Sequence, residues 1–113
     1  MNQPSLFQPP SEWVPPETVP NLSDAKEIAI DLETHDPNIK TTGPGWAIKK
    51  GKVIGVALAV DGWQGYYPIA HEGGGNFDEN IFKRQLKEIL ELPCDKVFHN
   101  AMYDVGWLDA MGL

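Results

Sequence analysis

The sequence predicts an α/β domain with a mixed sheet: a three-stranded antiparallel part, a parallel fourth strand and flanking helices. Three observations predict it. Residues Glu27 to Glu33 alternate apolar and polar side chains, as a strand with one packed face does. Val53 to Val60 is apolar and rich in β-branched residues, and Asp61-Gly62 turns it into a return strand over Gln64 to Ile69. An amphipathic helix, a short strand at Lys96 to Phe98 and a second helix then follow. A crossover through a helix sets the new strand parallel to the first.

Each element has its own justification. Residues 1–24 form a proline-rich tail: Pro4, Pro9, Pro10, Pro15, Pro16 and Pro20 remove donors and fix φ, which excludes helix and central strand. Leu6, Phe7, Trp13 and Val14 are too apolar for an inert linker, so the tail is expected to lie against the domain or a partner. The folded part spans residues 25–113. In its first strand Ile28, Ile30 and Leu32 point to a packed side, and Ala29, Asp31 and Glu33 to the other. Thr34 to Gly51 reads as a loop, punctuated by Pro37, Gly43, Pro44 and Gly45. Val53 to Val60 reads as a central strand covered on both faces. Pro68 suits an edge strand, since it has no ladder donor. His71 to Asn76, with three consecutive glycines, reads as a flexible connection.

The next helix has two candidate starts. Asp78 as N-cap allows a Phe77–Phe82 staple, whereas Asn76 with Glu79 would be a capping box one register earlier. Phe82, Leu86, Ile89 and Leu90 form its apolar stripe, and Pro93 ends it. Asn100 is a good N-cap for the last helix, which reaches Met111 with Gly112 as its stop.

Composition narrows the function. Sixteen acidic against nine basic residues give a net charge of −7, which excludes a protein that grips phosphate by its own charge alone. A nucleic-acid role then needs bound cations or a basic groove elsewhere. The single cysteine, Cys94, excludes an internal disulfide and a cysteine zinc site. No apolar run approaches the roughly 20 residues of a membrane span. No signal-peptide pattern opens the chain, so an intracellular, cytoplasmic protein is expected. His35 and His99 lack zinc spacing. Gly73-Gly74-Gly75 lacks the phosphate-loop lysine. Lys49, Lys50 and Lys52 with Trp46 read equally as a contact for single-stranded DNA or as a solvated loop with one packing tryptophan.

Two acidic segments carry the chemistry. Asp31 and Glu33 share one strand face, with Cα atoms about 6.6 Å apart. Carboxylates that close repel unless a cation sits between them, and hard Mg²⁺ or Mn²⁺ prefers oxygen ligands. The plain alternative is the solvent-facing side of an edge strand. Asn100 and Asp104 lie one turn apart on one helix face. For Asn100 the plain reading is a cap, and for Asp104 an exposed residue paired with a lysine. The predicted topology brings both segments to one sheet edge, where three converging carboxylates are costly without metal.

These residues carry a resemblance. Asp31-Leu32-Glu33-Thr34 ending a first strand, then a hairpin, a helix and His99-Asn100-Ala101-Met102-Tyr103-Asp104, is similar to the N-terminal part of a known domain. That domain is the 3′–5′ proofreading exonuclease of family A DNA polymerases, phage-type members in particular, in the ribonuclease H-like superfamily. The resemblance implies two Mg²⁺ or Mn²⁺ ions, with Asp31 bridging them, Glu33 on the first and Asp104 on the second through water. It implies that Leu32 and Thr34 form a floor under the 3′ end and that Asn100 stands near the terminal nucleotides. Its partners would be the single-stranded 3′ end of DNA and a polymerase domain of a larger protein, or a second chain that supplies the missing motif. The family's later Y-x-x-x-D motif has no counterpart before Leu113, so a C-terminally truncated domain with poor or absent turnover of its own is expected. Two alternatives remain open: a non-catalytic nucleic-acid-binding or polymerase-associated fragment, and a ribonuclease D-like 3′–5′ exoribonuclease.

Overall fold

A computed structural model describes residues 19–37, 39–48 and 51–113. The first eighteen residues of the proline-rich tail, and Lys49 and Lys50 of the basic run, lie outside the described residues. The elements are β1 (Glu27–His35), α1 (Ile39–Thr42), α2 (Gly45–Ile48), β2 (Lys52–Val60), β3 (Trp63–Pro68), α3 (Glu79–Glu91), β4 (Asp95–Phe98) and α4 (Ala101–Ala110). They form one mixed four-stranded sheet in the order β3-β2-β1-β4. β1 pairs antiparallel with β2, β2 antiparallel with β3, and β4 runs parallel to β1 from Glu27↔Asp95 to Ile30↔Phe98. This is the predicted α/β arrangement, and it is compatible with a ribonuclease H-like sheet.

The alternation of β1 survives intact. Ile28, Ile30 and Leu32 are buried, while Asp31 and Glu33 are half-buried on the other face. Val56 and Leu58 of β2, Tyr67 of β3, Phe82, Leu86 and Ile89 of α3, and Trp107 and Leu108 of α4 complete one core cluster. Both long helices therefore cover the same face of the sheet. Leu22 joins this core ahead of β1, at a turn closed by Ala25 N–H on Leu22 O at 3.0 Å.

β2 departs from expectation. Its apolar run suggested cover on both faces, yet its second face carries only Gly55, Ala57 and Ala59, opposite Glu33, Asp31 and Ala29. Small side chains leave that face low and open. A register shift lies between Glu33 and Thr34, where Ile54 is the extra residue. The Ile54 carbonyl accepts from Ile69 and Ala70 at 2.9 and 3.1 Å instead.

The loop after β1 also differs, because α1 and α2 occupy it. Asp36 holds this segment by accepting from Gly45 N–H at 2.9 Å. Trp46 is the packing tryptophan of the two open readings. Its ring lies against Gly106, where a Cβ would fall 2.2 Å from Trp46 Cε2. Only a residue without a side chain lets α2 approach α4 so closely.

The ends of α3 and α4 follow local chemistry. Asp78 is the N-cap of α3, and its Oδ1 accepts from Ile81 N–H at 2.9 Å. Phe77 and Phe82 form the staple, with ring centroids 5.9 Å apart. Asn76, the other candidate, is used elsewhere. Lys96 Nζ donates to the carbonyls of Leu92 and Cys94 just beyond α3, where a cation suits the helix dipole. α4 stops in a Schellman turn: Gly112 at φ 87°, its N–H on Asp109 O and Leu113 N–H on Leu108 O, both 2.9 Å.

Candidate functional site

The parallel β1–β4 pair fixes where the acids meet. β4 ends at Phe98 beside Ile30, one residue before Asp31, and α4 starts three residues later. The first turn of α4 thus lies at the end of β1 that carries Asp31 and Glu33. Asp104 stands in that turn and is buried, at 2% exposure. The exposed, lysine-paired reading of Asp104 is therefore wrong. The sequence held a signal for this: Asp104, Trp107, Leu108 and Met111 follow the i, i+3, i+4, i+7 spacing of an inward face.

Burial has an electrostatic consequence. It pushes the Asp104 carboxyl above the usual range; the Asn100 backbone N–H opposes this, the Asp31 charge adds to it, and His99 opposes it. The Asn100 N–H is long, 3.4 Å from Asp104 Oδ2, and no ion-pair partner for Asp104 stands among the described residues. Glu33 is also raised, first by burial, with His71 lowering it and Asp31 raising it. Asp31 is thus the shared neighbour that destabilises both other carboxylates. Among the described residues, however, no group of three His, Cys, Asp or Glu side chains stands close enough to hold a metal ion. The three acids share a field without closing on one point.

Asn100 is the N-cap of α4 by position, but its side chain makes no cap bond. Asp104 reaches back to its N–H instead, which leaves the exposed Asn100 amide uncommitted among the described residues. Leu32 lies in the core, on the face opposite Asp31 and Glu33, so only its backbone borders the open face. Thr34 ties the two acidic segments together. Its hydroxyl donates to Tyr103 Oη at 2.9 Å, because the Tyr103 hydrogen is given to Asp36 Oδ2 at 2.8 Å. Asp36 and this chain of bonds were not legible in the motifs.

Two further residues were missed. Tyr66 is buried beside Glu33, which helps burial raise its phenol pKa. The Tyr66 hydroxyl is hydrogen-bonded to His71 Nε2. The open face also holds a trough of ≈ 590 Å³, with Asp31, Ala57, Tyr66, Val97 and His99 in its lining.

The raised carboxyls predict an unusual pH dependence. A carboxyl whose folded value lies above its unfolded value contributes stability that is complete below the unfolded value and lost as pH rises through the folded one. The melting temperature of cation-free wild type, relative to Asp104→Asn, is expected to fall as pH climbs from the ordinary aspartate range through the raised value. Added Mg²⁺ should reverse that fall. Circular-dichroism melts at stepped pH, with EDTA or Mg²⁺, would refute this by giving a constant difference.

The oxygen-only, cation-poor donor set of Asp31, Glu33 and Asp104 fits hard divalent cations. Among the described residues no helix is long and apolar enough to cross a membrane. No family model matches the chain. A DNA-directed DNA polymerase of Pseudomonas phage M6 is 38% identical to it over an alignment of 120 positions that covers 96% of this chain. The chain spans 18% of that polymerase's length. In sequence, then, this chain is similar to one part of a phage DNA polymerase.

Proposed function

We propose that this chain is the N-terminal part of a 3′–5′ proofreading exonuclease domain belonging to a phage-type DNA polymerase. The observation that carries the reading is the burial of Asp104 in the field of Asp31 with no ion-pair partner among the described residues. Such a carboxylate is costly alone and stabilised by a shared cation. The similarity to a phage DNA polymerase supports DNA over the RNA of a ribonuclease D-like enzyme.

Asp31, Glu33 and Asp104 are the residues that would hold two Mg²⁺ or Mn²⁺ ions. When bound, such ions stabilise the attacking and leaving oxygens of an in-line displacement. By the family resemblance Asp31 would be the carboxylate common to both ions, Glu33 would hold one ion and orient the attacking water, and Asp104 would hold the other. The water oxygen would attack the terminal phosphorus and give up a proton, the bond to the 3′ oxygen would break, that oxygen would take up a proton to become the new 3′-hydroxyl, and a nucleoside 5′-monophosphate would leave. Asn100 offers its uncommitted amide to the terminal nucleotides. Thr34, with its hydroxyl engaged by Tyr103, and the Leu32 backbone border the 3′ end. The small residues of β2 leave room for a nucleotide on the open face.

A second reading, a non-catalytic segment associated with a polymerase, is favoured by one observation. The acids do not converge into a ligand group among the described residues. The two readings separate with single-stranded DNA labelled at its 5′ end, incubated with Mg²⁺ or Mn²⁺. The exonuclease reading expects a slow ladder, at the poor turnover of a truncated domain, shortened one nucleotide at a time from the 3′ end. It expects no ladder from Asp104→Asn. An identical ladder from that variant would mean a contaminating nuclease and would leave the non-catalytic reading standing.

A further inference from the structure

We propose that the open face of the sheet is the seat of one amphipathic helix with basic flanks, supplied by the rest of the polymerase. It rests on the reading of this chain as one part of a DNA polymerase, and not on the nuclease chemistry. Among the described residues α3 and α4 both cover the Ile28, Ile30 and Leu32 side of the sheet, so the other side has no helix on it. Sheets with parallel crossovers are commonly covered by helices on both faces.

The register gives the open face its relief. Gln64, Ala59, Ala29 and Val97 form one row across the four strands, and Tyr66, Ala57 and Asp31 form the next. Small residues hold the two middle strands of the first row, and larger ones stand at its ends. The trough of ≈ 590 Å³ is thus floored by Ala29, Ala57 and Ala59 and walled by Tyr66 on one side and Val97 on the other. Val97 is left 46% exposed, although it is a branched apolar residue on a strand. A second hollow shares Ala29 and Ala59 and carries the trough on toward Ala25 and Asp61.

Dimensions choose the occupant. Three strand spacings put the walls on β3 and β4 roughly 14 Å apart, and a helix with its side chains is about 10–12 Å across. From Glu27 to Asp31 the floor runs about 13 Å, or roughly two and a half helical turns. A second copy of this chain fits worse. Two such faces would meet floor to floor at about 10 Å, a gap that alanines do not fill. Each copy also carries a charge of −7, so the pair would repel.

The same charge selects the helix. Asp24, Glu27 and Asp61 line the continuation of the trough against one base, Lys26, and Asp31 stands at the other end. Lysines or arginines flanking the apolar stripe of the helix would meet these acids. There is ample chain to supply it, since this chain spans only 18% of the related phage polymerase. Gly55 and Glu33 stay outside the lining of the trough, so a seated helix leaves that end of the face open to a nucleotide.

The test is thiol labelling with a maleimide, read at residue 97 by mass spectrometry of a digest. In a Cys94→Ser background, Val97→Cys is compared between the chain alone and the polymerase that carries it. Lys87→Cys, at an exposed position of α3, is the reference. The Val97→Cys rate is expected to fall at least about tenfold in the polymerase while the reference rate holds. Ala59→Trp then fills the floor. It should leave the melting temperature of the chain alone unchanged and restore fast labelling of Val97→Cys in the polymerase. Equal Val97→Cys rates in chain and polymerase would overturn the proposal. So would protection that survives Ala59→Trp, which would place the cover elsewhere than on the alanine floor. Slow labelling in the chain alone, with a dimer in light scattering that Ala59→Trp dissociates, would give the seat to a second copy and overturn the helix. The readings beneath it fail separately. A missing nuclease ladder leaves the expected protection unchanged, whereas a reading frame around this chain that encodes no polymerase removes the polymerase reading and the occupant with it.

Discussion

Asp31→Asn is expected to abolish divalent-cation binding and to slow mononucleotide release on the order of 1,000-fold. The substitution keeps the shape of the side chain and removes its charge. Asp31 is the neighbour whose charge raises both Glu33 and Asp104, so it is the group the two others have in common. On the proposed reading, its loss would leave Glu33 and Asp104 without a ligand common to both ions. Several kcal/mol of charge stabilisation in the transition state are at stake, and each 1.36 kcal/mol is about tenfold in rate. The same change should act in the opposite direction on the cation-free chain. Relief of Glu33 and Asp104 makes the fold more stable without cation, so the melting temperature should rise in EDTA. Stabilisation by added Mg²⁺ should vanish. Loss of function joined to gain of stability is the mark of a strained working site. A polar, solvent-facing strand edge predicts neither change. Calorimetric Mn²⁺ titration and paired melts with EDTA and Mg²⁺ measure both, and unchanged Mg²⁺ stabilisation in the variant would refute the assignment of Asp31.

The largest loss of stability is expected from Phe82→Ala. Phe82 is fully buried at 0% exposure and is the hinge of a three-ring cluster. It stacks on Tyr67 at 5.0 Å and 29°, and meets Phe77 edge-on at 5.9 Å and 75°. Tyr67 and Phe77 also meet edge-on, at 5.6 Å. The cluster joins β3, the start of α3 and the loop between them. Truncation removes the transfer energy of the ring and leaves a cavity, about 4 kcal/mol together. The lost ring pairs add roughly 1 kcal/mol. Against a total stability on the order of 5–15 kcal/mol for a domain of this kind, that is a third or more. Urea unfolding should show a much lower midpoint at unchanged slope, while Phe82→Leu should cost less than about 1.5 kcal/mol. A loss below about 1 kcal/mol in Phe82→Ala would contradict this account of the core.

What was legible in the sequence follows from period and punctuation. The two-residue period of β1 separated Ile28, Ile30 and Leu32 from Asp31 and Glu33, and the structure keeps that division. Asp61-Gly62 gave the hairpin, with Gly62 at φ 82°. The helix between β3 and β4 gave the parallel return beside β1. Two readings went astray because a sequence window does not contain its neighbours. β2 looked covered on both faces, since Gly55, Ala57 and Ala59 are apolar. Apolar residues that small make a floor as well as a core. The plain alternative for Asp104, an exposed residue, rested on the apolar residues that surround it on every side of α4. Its phase with Trp107 and Leu108 decides the matter, and Met102 and Val105 are the ones left exposed.

By itself, then, the sequence determined the elements, their order and the two acidic segments, because those depend on local periodicity, caps and turns. Only the tertiary structure decided what these residues meet. The register β3-β2-β1-β4 sets Asp31 against Ala57 and Glu33 against Gly55, which opens the face beside the acids. The docking of α4 buries Asp104 and hands Tyr103 to Thr34 and Asp36. The glycine loop presents His71 to Tyr66 from five residues away in sequence but across the last strand edge. These pairings join residues on different strands, helices and loops, and no local periodicity encodes them; they exist only once the fold has formed.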